Sequence, residues 1–138
     1  MKFDVLILFM AKSRIKILIV EDESSLLDLY SMKLEQAGYQ VIKAPNGAEG
    51  FSLASTEIPN LILLDLLMPK VDGYEALKKL KNNAKTKKIP VIIFSNLSQK
   101  EEIEKGLKLG ANDFIIKTSV TPTQLEQKVQ KFLNKYKS

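Results

Sequence analysis

Five times along this chain a short apolar run gives way to a longer amphipathic stretch, and this alternation constrains the fold more than any other feature. The runs are Ile15 to Val20, Tyr39 to Lys43, Leu61 to Leu64, Val91 to Phe94 and Asp113 to Ile116. Short runs of this kind suit strands covered on both faces. Between them, apolar residues recur at helical spacing. Ser24 is expected to cap a helix carrying Leu27, Tyr30, Leu34 and Ala37, which Gly38 ends. Asn46-Gly47 opens a second helix with Ala48, Phe51, Leu53 and Ala54. A third runs from about Tyr74 to Lys81 and a fourth from Gln99 to Leu109, closed by Gly110. Pro122 sits in the first turn of a fifth, which ends near Tyr136. Five strand-then-helix units predict one doubly wound α/β domain, a five-stranded parallel sheet with five helices on its two faces, joined by right-handed crossovers. A chain of 138 residues, 45% of them hydrophobic, is large enough to bury that single core.

Composition then removes whole classes of chemistry. There is no cysteine, so thiol nucleophiles and disulfides are excluded, and no histidine, so imidazole bases and His-ligated zinc are excluded. Chemistry here must run on carboxylates, hydroxyls, lysines and backbone amides. The net charge of +5 raises the question of nucleic acid. The lysines are dispersed, however, with one group at Lys78, Lys79, Lys81, Lys85, Lys87 and Lys88 and another at Lys128, Lys131, Lys135 and Lys137. Arg14 is the single arginine, and the lysines are read as solvated faces and loops, not as a nucleic-acid surface.

The opening segment, MKFDVLILFM, is too short to span a bilayer and lacks a signal-peptide cleavage site. Residues 1–13 are therefore expected to be an extension, either disordered or an added strand, ahead of a domain at 14–138.

In an open α/β sheet, ligands bind beyond the carboxyl ends of the strands, near the point where strand order reverses. The residues just past each run are Glu21-Asp22-Glu23, Asp65, Ser95-Asn96 and Lys117-Thr118. Each has an ordinary structural reading: acidic residues cap helices, serines make turns and lysines sit on surfaces. Their shared address changes that reading. Clustered carboxylates held ionised in a half-buried pocket call for a cation, and hard oxygen ligands suit Mg²⁺. An ionised Asp65 beside it can attack phosphorus, while Ser95 and Lys117 hold the equatorial oxygens.

At these residues the sequence strongly resembles the receiver domain of two-component response regulators, over about Ile15 to Tyr136. The likeness is carried by ILIVEDES around Glu21 and Asp22, LILLDLLMPKVDGYE around Asp65, IPVIIFSN ending near Ser95, and GANDFIIK ending at Lys117. The resemblance implies a flavodoxin-like sheet of order 2-1-3-4-5 and a phosphorylated Asp65, with a histidine kinase or phosphotransfer protein as donor. It implies Mg²⁺ on Asp22, Asp65 and the backbone carbonyl of Leu67, with Glu21 acting through water. It assigns Ser95 and Phe114 as switch residues and Lys117 as the partner of the phosphoryl oxygens. Output is expected from the face of the fourth helix, fifth strand and fifth helix toward a downstream protein partner, with a homodimer formed on phosphorylation as a further option. No effector sequence follows Ser138, so a stand-alone, chemotaxis-receiver-like protein is expected unless an effector was removed. A cytoplasmic, non-enzymatic phosphoacceptor is the resulting expectation.

Two departures stand out. The family usually has a proline after the lysine, in a cis peptide, whereas this chain has Thr118; a non-proline cis bond costs roughly 2.5–4 kcal/mol, so a trans bond and a reshaped loop are expected. Asn96 stands where a small alanine is common, and is expected to narrow access. Leu67 and Leu97, two positions past Asp65 and Ser95, are expected to flank the water route and slow self-hydrolysis of an acyl phosphate. Three rival readings are weighed: a haloacid-dehalogenase-like phosphohydrolase, which lacks its second aspartate and cap here; a pseudo-receiver that has lost phosphorylation; and a nucleic-acid binder.

Overall fold

The computed structural model describes residues 2–12, 14–68 and 73–136. Five strands, β1 (Lys16–Val20), β2 (Gln40–Ala44), β3 (Leu61–Leu64), β4 (Val91–Ser95) and β5 (Asp113–Ile116), form one parallel sheet of order β2-β1-β3-β4-β5. Among the described residues six α-helices accompany them: α1 (Lys2–Lys12), α2 (Ser24–Gln36), α3 (Gly47–Glu57), α4 (Gly73–Lys81), α5 (Lys100–Lys108) and α6 (Pro122–Tyr136). The doubly wound sheet is as expected; the sixth helix is the N-terminal one.

Alternation along the central strands divides the core in two. Ile17 and Ile19, Leu61 and Leu63, and Ile92 and Phe94 point to one face, where they meet Leu27, Tyr30 and Leu34 of α2 and Leu125, Val129 and Leu133 of α6. Leu18 and Val20, Ile62 and Leu64, and Val91 and Ile93 point to the other, against Ala54 of α3 and Ala76, Leu77 and Leu80 of α4. A strand buried on both faces must be apolar at every position, which is why these runs do not alternate in hydrophobicity. Gly106 lets α5 approach this second face, since a Cβ there would lie 2.3 Å from Ile93 Cδ1. On the first face the Tyr30 and Phe94 rings meet edge to face, 4.9 Å between centroids.

Helix boundaries follow local chemistry with one correction. Glu23, not Ser24, occupies the N-cap of α2, and its N–H donates to the Glu21 side chain at 3.1 Å. Asn46 caps α3 as expected, accepting from the N–H of Glu49 at 2.8 Å. Gly38 and Gly110 close their helices with φ of 107° and 112°, a conformation glycine adopts without strain.

The expectation that residues 1–13 are disordered or an added strand is corrected, because α1 is a helix. A helix satisfies its backbone hydrogen bonds within itself, whereas a strand must find a sheet edge. Lys12 then ties α1 to the domain, 3.8 Å from Glu126 and over the ring of Tyr39. The lysine-rich connection to β4 is also less uniform than its sequence, because half-buried Lys81 donates to the carbonyls of Lys87 and Ile89. Among the described residues, no helix is long and apolar enough to cross a membrane.

Burial, and secondarily Glu126, pushes the Tyr39 phenol up to about 12. The unfolded chain ionises this group near pH 10 while the folded chain holds its proton, so stability falls as pH rises from 10 to 12. The Tyr39 share of that loss is about 2–3 kcal/mol, from two units at 1.4 kcal/mol each. Urea unfolding of Tyr39→Phe across this window is expected to show a correspondingly shallower decline than the unsubstituted chain.

Candidate metal centre and phosphoacceptor site

Register places the candidate residues before any side chain is considered. Val20 pairs with Leu64, so Glu21 and Asp65 leave neighbouring strand ends at the same level. The Asp65 N–H extends that ladder to the Val20 carbonyl at 3.1 Å, and the Glu21 N–H does the same to Ala44 at 3.0 Å. Ser95 pairs with Ile116, which brings Asn96 and Lys117 to the same level on the other side. Strand order reverses between β1 and β3, and the cavity opens there.

That cavity, of about 430 Å³, is lined by Glu21, Asp22, Glu23, Leu26, Asp65, Leu67, Asn96 and Lys117. Oxygens of Glu21, Asp22 and Asp65 all lie within 4.8 Å of one another. Glu21 and Asp65 are buried, at 3% and 5% exposure, while Asp22 is exposed. The ammonium of Lys117, itself buried, donates to Glu21 Oε1 and, at 3.1 Å, to Asp65 Oδ2. The second oxygen of each carboxylate takes a backbone N–H, that of Glu23 for Glu21 and that of Leu67, at 3.0 Å, for Asp65.

Three carboxylates against one ammonium leave the cluster with excess negative charge and open oxygen valences. This donor set fits a divalent cation: hard oxygens, two of them on buried strand ends and one facing solvent. Burial raises the Glu21 carboxyl above its ordinary value, against the opposing pull of Lys117. Burial acts to lower the Lys117 ammonium, but its bonds and charge interactions with Glu21 and Asp65 outweigh that and raise it. Lys117 therefore contributes stability that is present below the usual lysine range and lost as pH rises through its raised value.

Not every expected residue faces the cavity. Ser95 is fully buried at the end of β4, with its Oγ accepting from the Leu97 N–H at 3.5 Å. Leu67 is exposed and lines the cavity; Leu97 instead packs against the core on the α3–α4 face, so of these two leucines only Leu67 reaches the opening. Phe114 is half-buried beneath α5, away from the cavity. Leu26, in the first turn of α2, was missed; its only signal is an apolar residue three positions past the acidic triplet. The Pro69, Lys70, Val71 and Asp72 part of the motif lies outside the described residues. Gly73 beyond it is required sterically, because a Cβ there would sit 2.3 Å from Leu66 Cα and 2.7 Å from the Asp65 carbonyl. The Lys117–Thr118 peptide is trans, as expected, and residues Lys117–Ser119 form a 3₁₀ turn.

Replacing Lys117 by methionine would leave Glu21 and Asp65 buried without their cation, a change that costs about 3–5 kcal/mol in comparable pairs. Urea unfolding of Lys117→Met is expected to show this loss in chelator and a smaller one in millimolar divalent cation.

Residues 17–130 match the model of the response regulator receiver domain. The chain is 40% identical over 102 residues to the DNA-binding dual master transcriptional regulator RpaA of Synechocystis, covering 74% of this chain and 42% of that protein. It is 38% identical over 122 residues to the alkaline phosphatase synthesis transcriptional regulatory protein PhoP of Bacillus subtilis, covering 87% and 49%. It thus spans less than half the length of either relative. Among solved structures, a CheY-like receiver domain protein from Methanospirillum hungatei superposes with a TM-score of 0.80 at 30% identity, covering 88% of this chain and 94% of that one. A five-stranded sheet of receiver order, with its acidic cluster and lysine meeting at one edge, agrees with these matches, and the chain belongs to the response regulator receiver domain family.

Proposed function

We propose that this chain is a phosphoacceptor in two-component signalling, taking a phosphoryl group from a histidine kinase or phosphotransfer protein onto Asp65. The observation that carries the reading is the buried Asp65 carboxylate opening on a cavity with Glu21 and Asp22 beside it and the Lys117 ammonium 3.1 Å away.

In this reading an Asp65 oxygen attacks phosphorus, the new P–O bond forms as the P–N bond to the donor imidazole breaks, and the imidazole leaves with a proton. Asp22 and Asp65 would hold Mg²⁺, with the Leu67 carbonyl as a further ligand and Glu21 acting through water. When bound, Mg²⁺ offsets the charge of the carboxylates and of the transferred group. Lys117 holds a phosphoryl oxygen with the charge it now shares between Glu21 and Asp65. The Leu67 N–H keeps the second Asp65 oxygen oriented, so the nucleophile cannot rotate freely. Ser95 reaches the phosphoryl group only by leaving its buried position, and that movement is the first step of the switch. Phe114 lies under α5 beside Gly106, so its rearrangement would pass the change to the α5–β5–α6 face, where a downstream partner docks. The same domain in longer relatives accompanies DNA-binding regulators, so an effector in the same chain is an equal route to output. The setting is cytoplasmic and the chemistry is limited to self-phosphorylation and self-hydrolysis.

Intact-protein mass spectrometry after incubation with acetyl phosphate tests the proposal. One added phosphoryl group is expected with Mg²⁺, none in chelator and none in Asp65→Asn. Absence of an adduct in the unsubstituted protein, with Mg²⁺ binding shown by calorimetry, would replace this reading with a pseudo-receiver acting through its surface alone.

Leu67 offers an attacking water no hydrogen bond at the mouth of the cavity. Leu67→Asn supplies one, and the phosphorylated protein is expected to lose its group up to about tenfold faster, the worth of one well-placed hydrogen bond. The rate is read by following the adduct mass after donor removal; an unchanged half-life removes Leu67 from the account of its lifetime.

A further inference from the structure

Lys117 works at the end of a long, weakly supported lever. It projects from the end of β5, an edge strand beside β4, and its ammonium contacts Asp65 just past β3 and Glu21 just past β1. Adjacent strands are about 4.8 Å apart, so the side chain reaches across β4 before it meets a carboxylate. A small rotation of the backbone at 117 therefore becomes a large displacement at Nζ. Yet the strand ladder ends one residue earlier, at Ser95 and Ile116, and Lys117 already belongs to the 3₁₀ turn.

Two contacts hold the backbone past that point. The Val120 N–H closes the turn on the Lys117 carbonyl at 3.3 Å. The Asn96 Oδ1 accepts the Thr118 N–H at 3.1 Å. This second bond continues the β4–β5 connection beyond its last ladder pair, with a side chain standing in for a backbone carbonyl. It needs both residues: a donor N–H at 118, which proline lacks, and an acceptor reaching out from 96, which alanine lacks. The two departures noted in the sequence thus form one contact.

We infer that Asn96 is a positioning residue that clamps the Thr118 backbone and thereby aims Lys117 at Asp65. The inference rests on the phosphoacceptor reading of the site. It revises the expectation that Asn96 merely narrows access: Asn96 does line the cavity, but its side-chain oxygen is engaged with the turn. The clamp acts on the Lys117 side of the cavity and touches none of the three carboxylates that would hold the cation. Its effect should fall on the rate of phosphoryl transfer and leave cation affinity alone.

The experiment compares the unsubstituted protein with Asn96→Ala and Asn96→Asp, the latter keeping an acceptor oxygen. Amide exchange at Thr118 and the side-chain Cε and Nζ signals of Lys117 are read by NMR without donor. The saturating rate of Asp65 phosphorylation by acetyl phosphate and the Mg²⁺ affinity are then measured for the unsubstituted and alanine proteins. In Asn96→Ala, Thr118 exchange is expected to accelerate and the Lys117 signals to shift, with Asn96→Asp restoring Thr118 protection. The saturating rate in the alanine variant is expected to fall about two- to tenfold, the span of one lost hydrogen bond, with Mg²⁺ affinity within twofold. Unchanged Thr118 exchange in Asn96→Ala overturns the clamp, and faster exchange with unmoved Lys117 signals or an unmoved saturating rate overturns the positioning role. If the unsubstituted protein takes up no phosphoryl group, the phosphoacceptor reading fails; shifted Lys117 signals in Asn96→Ala would still support the clamp's hold on Lys117.

Discussion

A single buried ammonium makes this site tolerable to the fold. Glu21 and Asp65 sit at the ends of adjacent strands, both excluded from water, where two carboxylates repel and each loses hydration. Lys117 donates to both, and backbone N–H groups of Glu23 and Leu67 take the oxygens it leaves. This arrangement offsets the burial of both carboxylates while keeping the cluster short of positive charge. The same interaction that offsets part of the buried negative charge leaves oxygens of Glu21, Asp22 and Asp65 close enough together to fit a divalent cation.

The cation partner comes from the far edge of the sheet, so the site depends on the whole sheet being assembled in register. Glu21, Asp65 and Lys117 are far apart in sequence, and no local segment contains two sides of the ion-pair cluster. A slip of one residue between β4 and β5 would turn Lys117 to the opposite face. The continuously apolar cores of β1, β3 and β4 guard against this, since both faces of each strand are packed against helices. Site geometry and core packing are therefore the same problem in this fold, and the weak point is the end of edge strand β5, where Asn96 and the 3₁₀ turn take over from the ladder.

Much of this was legible in the residues themselves. A strand covered on both faces leaves a run such as LILL that no amphipathic helix would produce, and β3 and β5 lie where their runs predicted. Asp65, Asp22, Glu21 and Lys117 were nameable because chemistry in a parallel sheet gathers at strand ends. The errors came where local pattern underdetermines the outcome. The segment from Lys2 to Lys12 is apolar all round, which suits a strand or a helix equally, and its contacts with Glu126 and Tyr39 come from distant parts of the chain. Ser24 has good capping chemistry, but the turn is set by the Glu21 side chain, so Glu23 takes the cap.

The sequence by itself determined the class of fold, the order of its elements and the set of groups able to do chemistry, because hydrophobic periodicity and residue type are local properties. Only the tertiary structure decided which of those groups share a cavity. It buried Ser95, set Leu97 against the core while leaving Leu67 at the opening, and joined Asn96 to Thr118 across two strand ends. These are matters of side-chain direction and of contacts between residues remote along the chain, and they exist only once the strands are laid side by side.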